Sequence, residues 1–133
     1  MNSGHSITIW KSDLKSLKPT KWLNNDVINL HFWALNEREK QRNGKRQKSS
    51  KHGKSRCHFF QTHFLHCLKA GERYNHKTVA TFYTCSINIF SNKKLFFPIH
   101  LPGHWICMVV HPKEHKIVMH NSEMLGNTNI AFS

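Results

Sequence analysis

Between Pro98 and Val110 a turn bounded by proline and glycine delivers a histidine, then a tryptophan, into an apolar run: Pro98-Ile99-His100-Leu101-Pro102-Gly103-His104-Trp105-Ile106-Cys107-Met108-Val109-Val110. The run after His104 is too short for a helix of its own, so it reads as a strand over 104–111, buried on both faces. His104 then sits at the mouth of a central strand beside a loop, where a rigid scaffold can hold an acid/base group. A histidine that simply caps a strand fits the same residues.

The next ten residues make this strand half of a hairpin. Lys116 to Asn121 carries apolar residues at Ile117, Val118 and Met119, and Pro112-Lys113-Glu114 lies between. Proline cannot take the positive φ that a two-residue hairpin turn needs first, which leaves a loop of three or four residues. Counting back from such a loop puts His104 opposite a residue within about two places of Asn121. Residues paired across a ladder share a face, so an imidazole and a side-chain amide can meet there.

The N-terminal part reads as helical. Residues 6–10 alternate weakly and predict a short strand. Ser12 and the leucines at 14 and 17 predict one helical turn, stopped by Pro19. Asn24 as cap, an acid in the first turn, and Val27, Ile28, Phe32 and Leu35 predict a helix over 25–37. Trp22, just ahead of that cap, suits a staple on the helix entrance. Further along, 57–60 predicts a strand, Thr62 caps a helix to about 69, and a second helix spans 76–84. Residues 87–90 and 95–98 predict two β-like pieces. Helices first and strands afterwards indicate an α+β domain with an antiparallel hairpin.

Charge is unevenly distributed. The chain has a formal net charge of +13. From Arg38 to Arg56 nine Lys or Arg residues face only Glu39, so this stretch carries +8 of the total. With Gly44, Gly53 and several serines it reads as a solvated basic loop over 38–56. Such a block can also contact an acidic partner or a nucleic acid. No stretch approaches the roughly 20 apolar residues of a membrane span, and no signal-peptide core is visible, so an intracellular location, nuclear or cytoplasmic, is expected. Cys57, Cys67, Cys85 and Cys107 lack C-x-x-C spacing and read as reduced thiols. His63-x-x-His66-Cys67 suggests a metal, but those three cannot converge from one helix face and no second ligand pair has zinc spacing. No metal or other cofactor is expected.

Several segments, in order, resemble the ULP or sentrin-specific cysteine proteases, which process and remove SUMO-type modifiers. They are Asp13-Leu14 with Leu17, Trp22-Leu23-Asn24 through Asn29, and Phe59-Phe60-Gln61-Thr62-His63-Phe64. Ile87 to Phe90 with Pro98-Ile99-His100, and the His104-Trp105 pair, complete the set. The resemblance spans almost the whole chain and marks 6–133 as part of a protease domain into which the basic loop 38–56 is inserted. It implies a papain-like fold and a Cys-His-Asp triad that cuts after a Gly-Gly terminus or its isopeptide bond. The implied partner is SUMO or another ubiquitin-like protein ending in Gly-Gly. By this resemblance His104 is the general base, and Trp22 and Trp105 flank the slot for the diglycine. Two indole faces can hold a chain without side chains, where larger residues would clash. Asn24 and Asp26 are implied to shape the substrate side, although the family's acid directly after Trp-Leu-Asn is Asn25 here.

Two departures shape the expected chemistry. The family's Asp-Ser pair after the His-Trp strand is Asn121-Ser122 here, and an asparagine still orients a histidine in papain-like sites. The family's Q-x-x-x-x-D-C-G segment, which supplies nucleophile and oxyanion-hole glutamine, has no counterpart among these 133 residues. Cys107 lies three residues along the strand from His104 and points to the opposite face. The other three cysteines fall in predicted core elements. The expectation is a protease-family domain without its thiol, hence inactive. The alternative is a non-catalytic module that binds ubiquitin-like proteins.

Overall fold

The computed structural model describes residues 7–47, 57–68, 77, 89–123 and 128–131. Its frame is a five-stranded sheet in the order β1-β2-β3-β4-β5. The strands are β1 (Cys57–Phe59), β2 (Lys94–Leu101), β3 (His104–His111), β4 (Lys116–His120) and β5 (Thr128–Ala131). β1 runs parallel to β2, and every other neighbouring pair is antiparallel. Helices α1 (Asn25–Gln47) and α2 (Phe64–Leu68) accompany the sheet, with a 3-10 turn over Asp13–Leu17 ahead of them, and Lys77 is helical as well. The α+β expectation holds.

Asn24 starts α1 by accepting the Val27 N–H on its side-chain oxygen at 3.0 Å, the cap that its residue type suggests. The helix does not stop near residue 37. It continues to Gln47, so the first half of the expected basic loop 38–56 is helical, and 48–56 lie outside the described residues. Arg, Lys and Gln propagate a helix well, and Lys40 with Glu37 and Arg42 with Glu39 add ion pairs one turn apart. Composition alone could not separate a solvated helix from a solvated loop.

Two asparagines on α1 anchor the chain that comes after it. Asn36 donates to the Phe59 carbonyl at 2.8 Å and accepts the Phe59 N–H at 2.9 Å, acting as a strand edge for β1. Buried Asn29 accepts the Thr62 N–H at 2.8 Å. Thr62 is not the cap expected of it, since its buried hydroxyl has no hydrogen-bond partner among the described residues and α2 begins at Phe64.

Register assigns the faces. Leu95, Phe97, Met108 and Val110 share one side of the β2–β3 pair and pack with Phe60 and Phe64. The Phe60 ring stacks on Phe97 at 4.5 Å and meets Phe64 at 4.3 Å. On the other side Phe59 stacks on Phe96 at 4.5 Å and takes the edge of Phe32 from α1 at 5.4 Å. β3 is central by hydrogen bonding but not buried on both faces: of its residues only Val109 is fully buried. α2 is short and covers mainly the β2 side, which leaves the His104 end of β3 partly open.

Other expectations shift. Residues 7–10 form no strand, and Ile89–Ser91 is a 3-10 turn rather than β. The predicted helix 76–84 lies, apart from Lys77, outside the described residues, as do Ile87 and Asn88. The hairpin loop is the four-residue version, 112–115, closed by His115 in the left-handed region at φ 49°.

Candidate active site

The β3–β4 register pairs Cys107 with His120, and continuing it puts Asn121 one diagonal step from His104 on the same face. The two side chains meet there: His104 Nε2 lies 2.7 Å from Asn121 Oδ1. The same oxygen accepts the Glu123 N–H at 3.0 Å, which fixes how the amide points. An amide oxygen can only accept, so Nε2 is the donor in this contact. Glu123 Oε1 stands 3.4 Å from His104 Nδ1. The imidazole is mostly buried, with 16% of its side chain exposed, while the Glu123 side chain is 68% exposed and can swing away. Nothing in the sequence marked Glu123, because it reaches His104 only through this register.

The turn before His104 brings the two tryptophans to the same end of the sheet. Gly103 has φ +71°, a conformation that a β-carbon disfavours. A β-carbon there would also stand 3.3 Å from the six-membered ring of Trp22. Trp22 therefore lies over the Gly103 backbone. It is 77% exposed and does not act as the staple suggested for it. The Trp105 indole N–H donates to the Leu23 carbonyl at 2.8 Å, tying β3 to the Trp22-Leu23-Asn24 segment, and its ring packs on His100 at 4.6 Å. Asn24 is occupied by its capping bond and by a bond to Asp13. Asp26 sits in the first turn of α1, next to Asn25.

Under Trp105 runs an open cleft of about 430 Å³, lined by Ile28 and Phe32 of α1 with Pro98, Cys107 and Asn121 from the sheet side. Cys107 and His104 differ by an odd number of strand positions, so the thiol and the imidazole project from opposite faces. Burial pushes the Cys107 thiol up, which disfavours a thiolate. Cys57 lies on β1 and Cys67 on α2, both half-buried. Cys85 is outside the described residues.

Against known families, residues 21–132 match the Ulp1 protease family, C-terminal catalytic domain. The chain belongs to the Ulp1 protease family. A putative ubiquitin-like-specific protease 1B of Arabidopsis thaliana is 34% identical over 124 residues, covering 91% of this chain and 34% of that protein. Sentrin-specific protease 2 of Homo sapiens is 31% identical over 110 residues, covering 83% of this chain and 16% of that protein. The crystal structure of a de-sumoylating protease shares the fold with a TM-score of 0.58 at 22% identity, over 83% of this chain and 39% of that one. The chain thus spans about a third or less of the length of these curated relatives. Among the described residues of this Ulp1-family chain, no helix is long and apolar enough to cross a membrane.

Proposed function

We propose that this chain carries the histidine side of a cysteine-type peptidase site that acts on SUMO or another ubiquitin-like protein ending in Gly-Gly. The observation that carries the reading is the 2.7 Å contact between His104 Nε2 and Asn121 Oδ1, on a turn that Trp22 covers and Trp105 leaves. His104 is the general base: with Nε2–H held by Asn121, Nδ1 accepts the proton of an attacking thiol. Trp22 and Trp105 bracket the approach, and Asn24 and Asp26 shape its substrate side. The names of the relatives, ubiquitin-like-specific and sentrin-specific proteases, support the substrate class.

By its own residues the chain binds this tail without cutting it. Cys107 faces away from His104 and its thiol is held protonated by burial, and none of the four cysteines stands in the family's nucleophile motif. A thiol that does not reach the imidazole cannot be activated by it. The basic block from Arg38 onward adds a charged surface for an acidic partner or a nucleic acid, and an intracellular location, nuclear or cytoplasmic, fits this reading.

Titration of the full chain with a fluorescent SUMO-type modifier, with and without its terminal Gly-Gly, tests the reading. Binding that requires the diglycine and weakens at least fivefold in Trp22→Ala is the expected result. Equal binding of both forms would overturn it.

A further inference from the structure

Asp13 commits both of its carboxylate oxygens to the N-terminal segment. Its Oδ2 accepts the Trp10 N–H at 2.7 Å, and its own N–H donates to the Trp10 carbonyl at 2.9 Å. Its Oδ1 accepts from Asn24 Nδ2 at 3.0 Å. Asn24 in turn spends its Oδ1 on the Val27 N–H and its carbonyl on the Ile28 N–H. Every polar atom of the Asn24 side chain therefore has a fixed partner, and the peptide plane just before it is fixed with it. That plane carries the Leu23 carbonyl, the acceptor for the Trp105 indole N–H.

We infer that Asp13 is a positioning residue for the site: through Asn24 and the Leu23 carbonyl it sets where the Trp105 indole stands at the His104 end of β3. The reading of the slot as a diglycine site gives this placement its use. The placement itself stands on the hydrogen bonds. A capping asparagine needs no carboxylate behind it to start a helix, since its oxygen alone does that. The charge on Asp13 holds the amide nitrogen, the half of the side chain that the cap leaves unused, with a bond stronger than a neutral acceptor gives. Three links thus join a 3-10 turn at the start of the chain to an indole on the central strand, 82 residues beyond Leu23.

The chemistry of the pair suggests its own rescue. In Asp13→Asn/Asn24→Asp the donor and acceptor exchange places: the amide at 13 donates to the carboxylate at 24, whose second oxygen still caps Val27. Asp13→Ala removes the acceptor outright. The experiment follows the Trp105 indole N–H by 1H–15N NMR on the full chain, assigned by Trp105→Phe, alongside binding of a fluorescent peptide ending in Gly-Gly. Asp13→Ala is expected to shift the indole signal, to raise its hydrogen exchange at least threefold, and to weaken the peptide about fivefold. The exchanged pair restores all three. An indole signal that shifts in Asp13→Ala and returns in the exchanged pair, with no peptide binding even by the wild-type chain, would uphold the positioning and overturn only the diglycine reading. An indole signal unchanged in folded Asp13→Ala, or a shift that the exchanged pair does not restore, would overturn the positioning role.

Discussion

The two ends of the central hairpin are built by opposite means. At the β2 side Phe60, Phe64 and Phe97 pack ring on ring at 4.3 to 5.3 Å, on a face that excludes water. At the His104 end single hydrogen bonds tie together pieces distant in sequence: Asp13 to Asn24, Leu23 to Trp105, His104 to Asn121. The aromatic end gains free energy from area and tolerates small displacements. The polar end gains little from each bond but loses its geometry with any one of them. A stable scaffold and an adjustable site therefore share one strand pair.

The largest expected effect breaks the aromatic side. Phe60→Ala removes a ring that is 3% exposed and packed against those of His58, Phe64 and Phe97, and should cost about 3–5 kcal/mol in urea unfolding. A cost below about 1 kcal/mol would mean that the cluster is not the core. Acid should strike the same end next. His58 packs on Phe60 at 4.7 Å, and burial, helped by Lys40, lowers its pKa from 6.5 to about 4. The unfolded chain takes up this proton below about pH 6.5, whereas the folded chain resists until about pH 4. Stability present above pH 6.5 is thus lost as pH falls toward 4, by about 2 kcal/mol after allowance for partial solvent access. Unfolding midpoints at the two pH values should converge in His58→Asn; an undiminished slope in that variant would refute the assignment.

At the polar end the effects are smaller and local. Asn121→Ala leaves both His104 Nε2–H and the Glu123 N–H without their acceptor, for about 1–2 kcal/mol. The loss should appear as faster exchange of the His104 ring proton, with the Phe97 ring signals unmoved. A collapse of the aromatic signals as well would show that the two ends are one unit. The smallest effect falls on the second half of α1. Lys40→Ala breaks an exposed ion pair with Glu37 and should change the unfolding free energy at pH 7 by no more than about 0.5 kcal/mol.

The same contrast explains what could be read in the sequence. Local patterns revealed the hairpin, a loop of three or four residues and the Asn24 cap, because each is set by neighbours a few residues away. Placing His104 near Asn121 needed only counting along one ladder. Glu123, the bonds that Asp13 makes and the fit of Trp22 over Gly103 were out of reach, since each depends on contacts between separate segments. The extension of α1 to Gln47 was missed for a different reason: a helix without an apolar stripe carries no periodic signal. The openness of β3 was missed because an apolar run reports what can be buried, and the elements around it decide how much is.

The central proposal is an imidazole oriented for proton transfer that no cysteine thiol among the described residues reaches. A ubiquitin-like modifier whose terminal glycine is replaced by an electrophile traps any thiol that enters the slot. Incubated with the full chain and examined by intact-mass spectrometry, it should bind and release without an adduct. A covalent adduct at Cys57, Cys67, Cys85 or Cys107 would contradict the account.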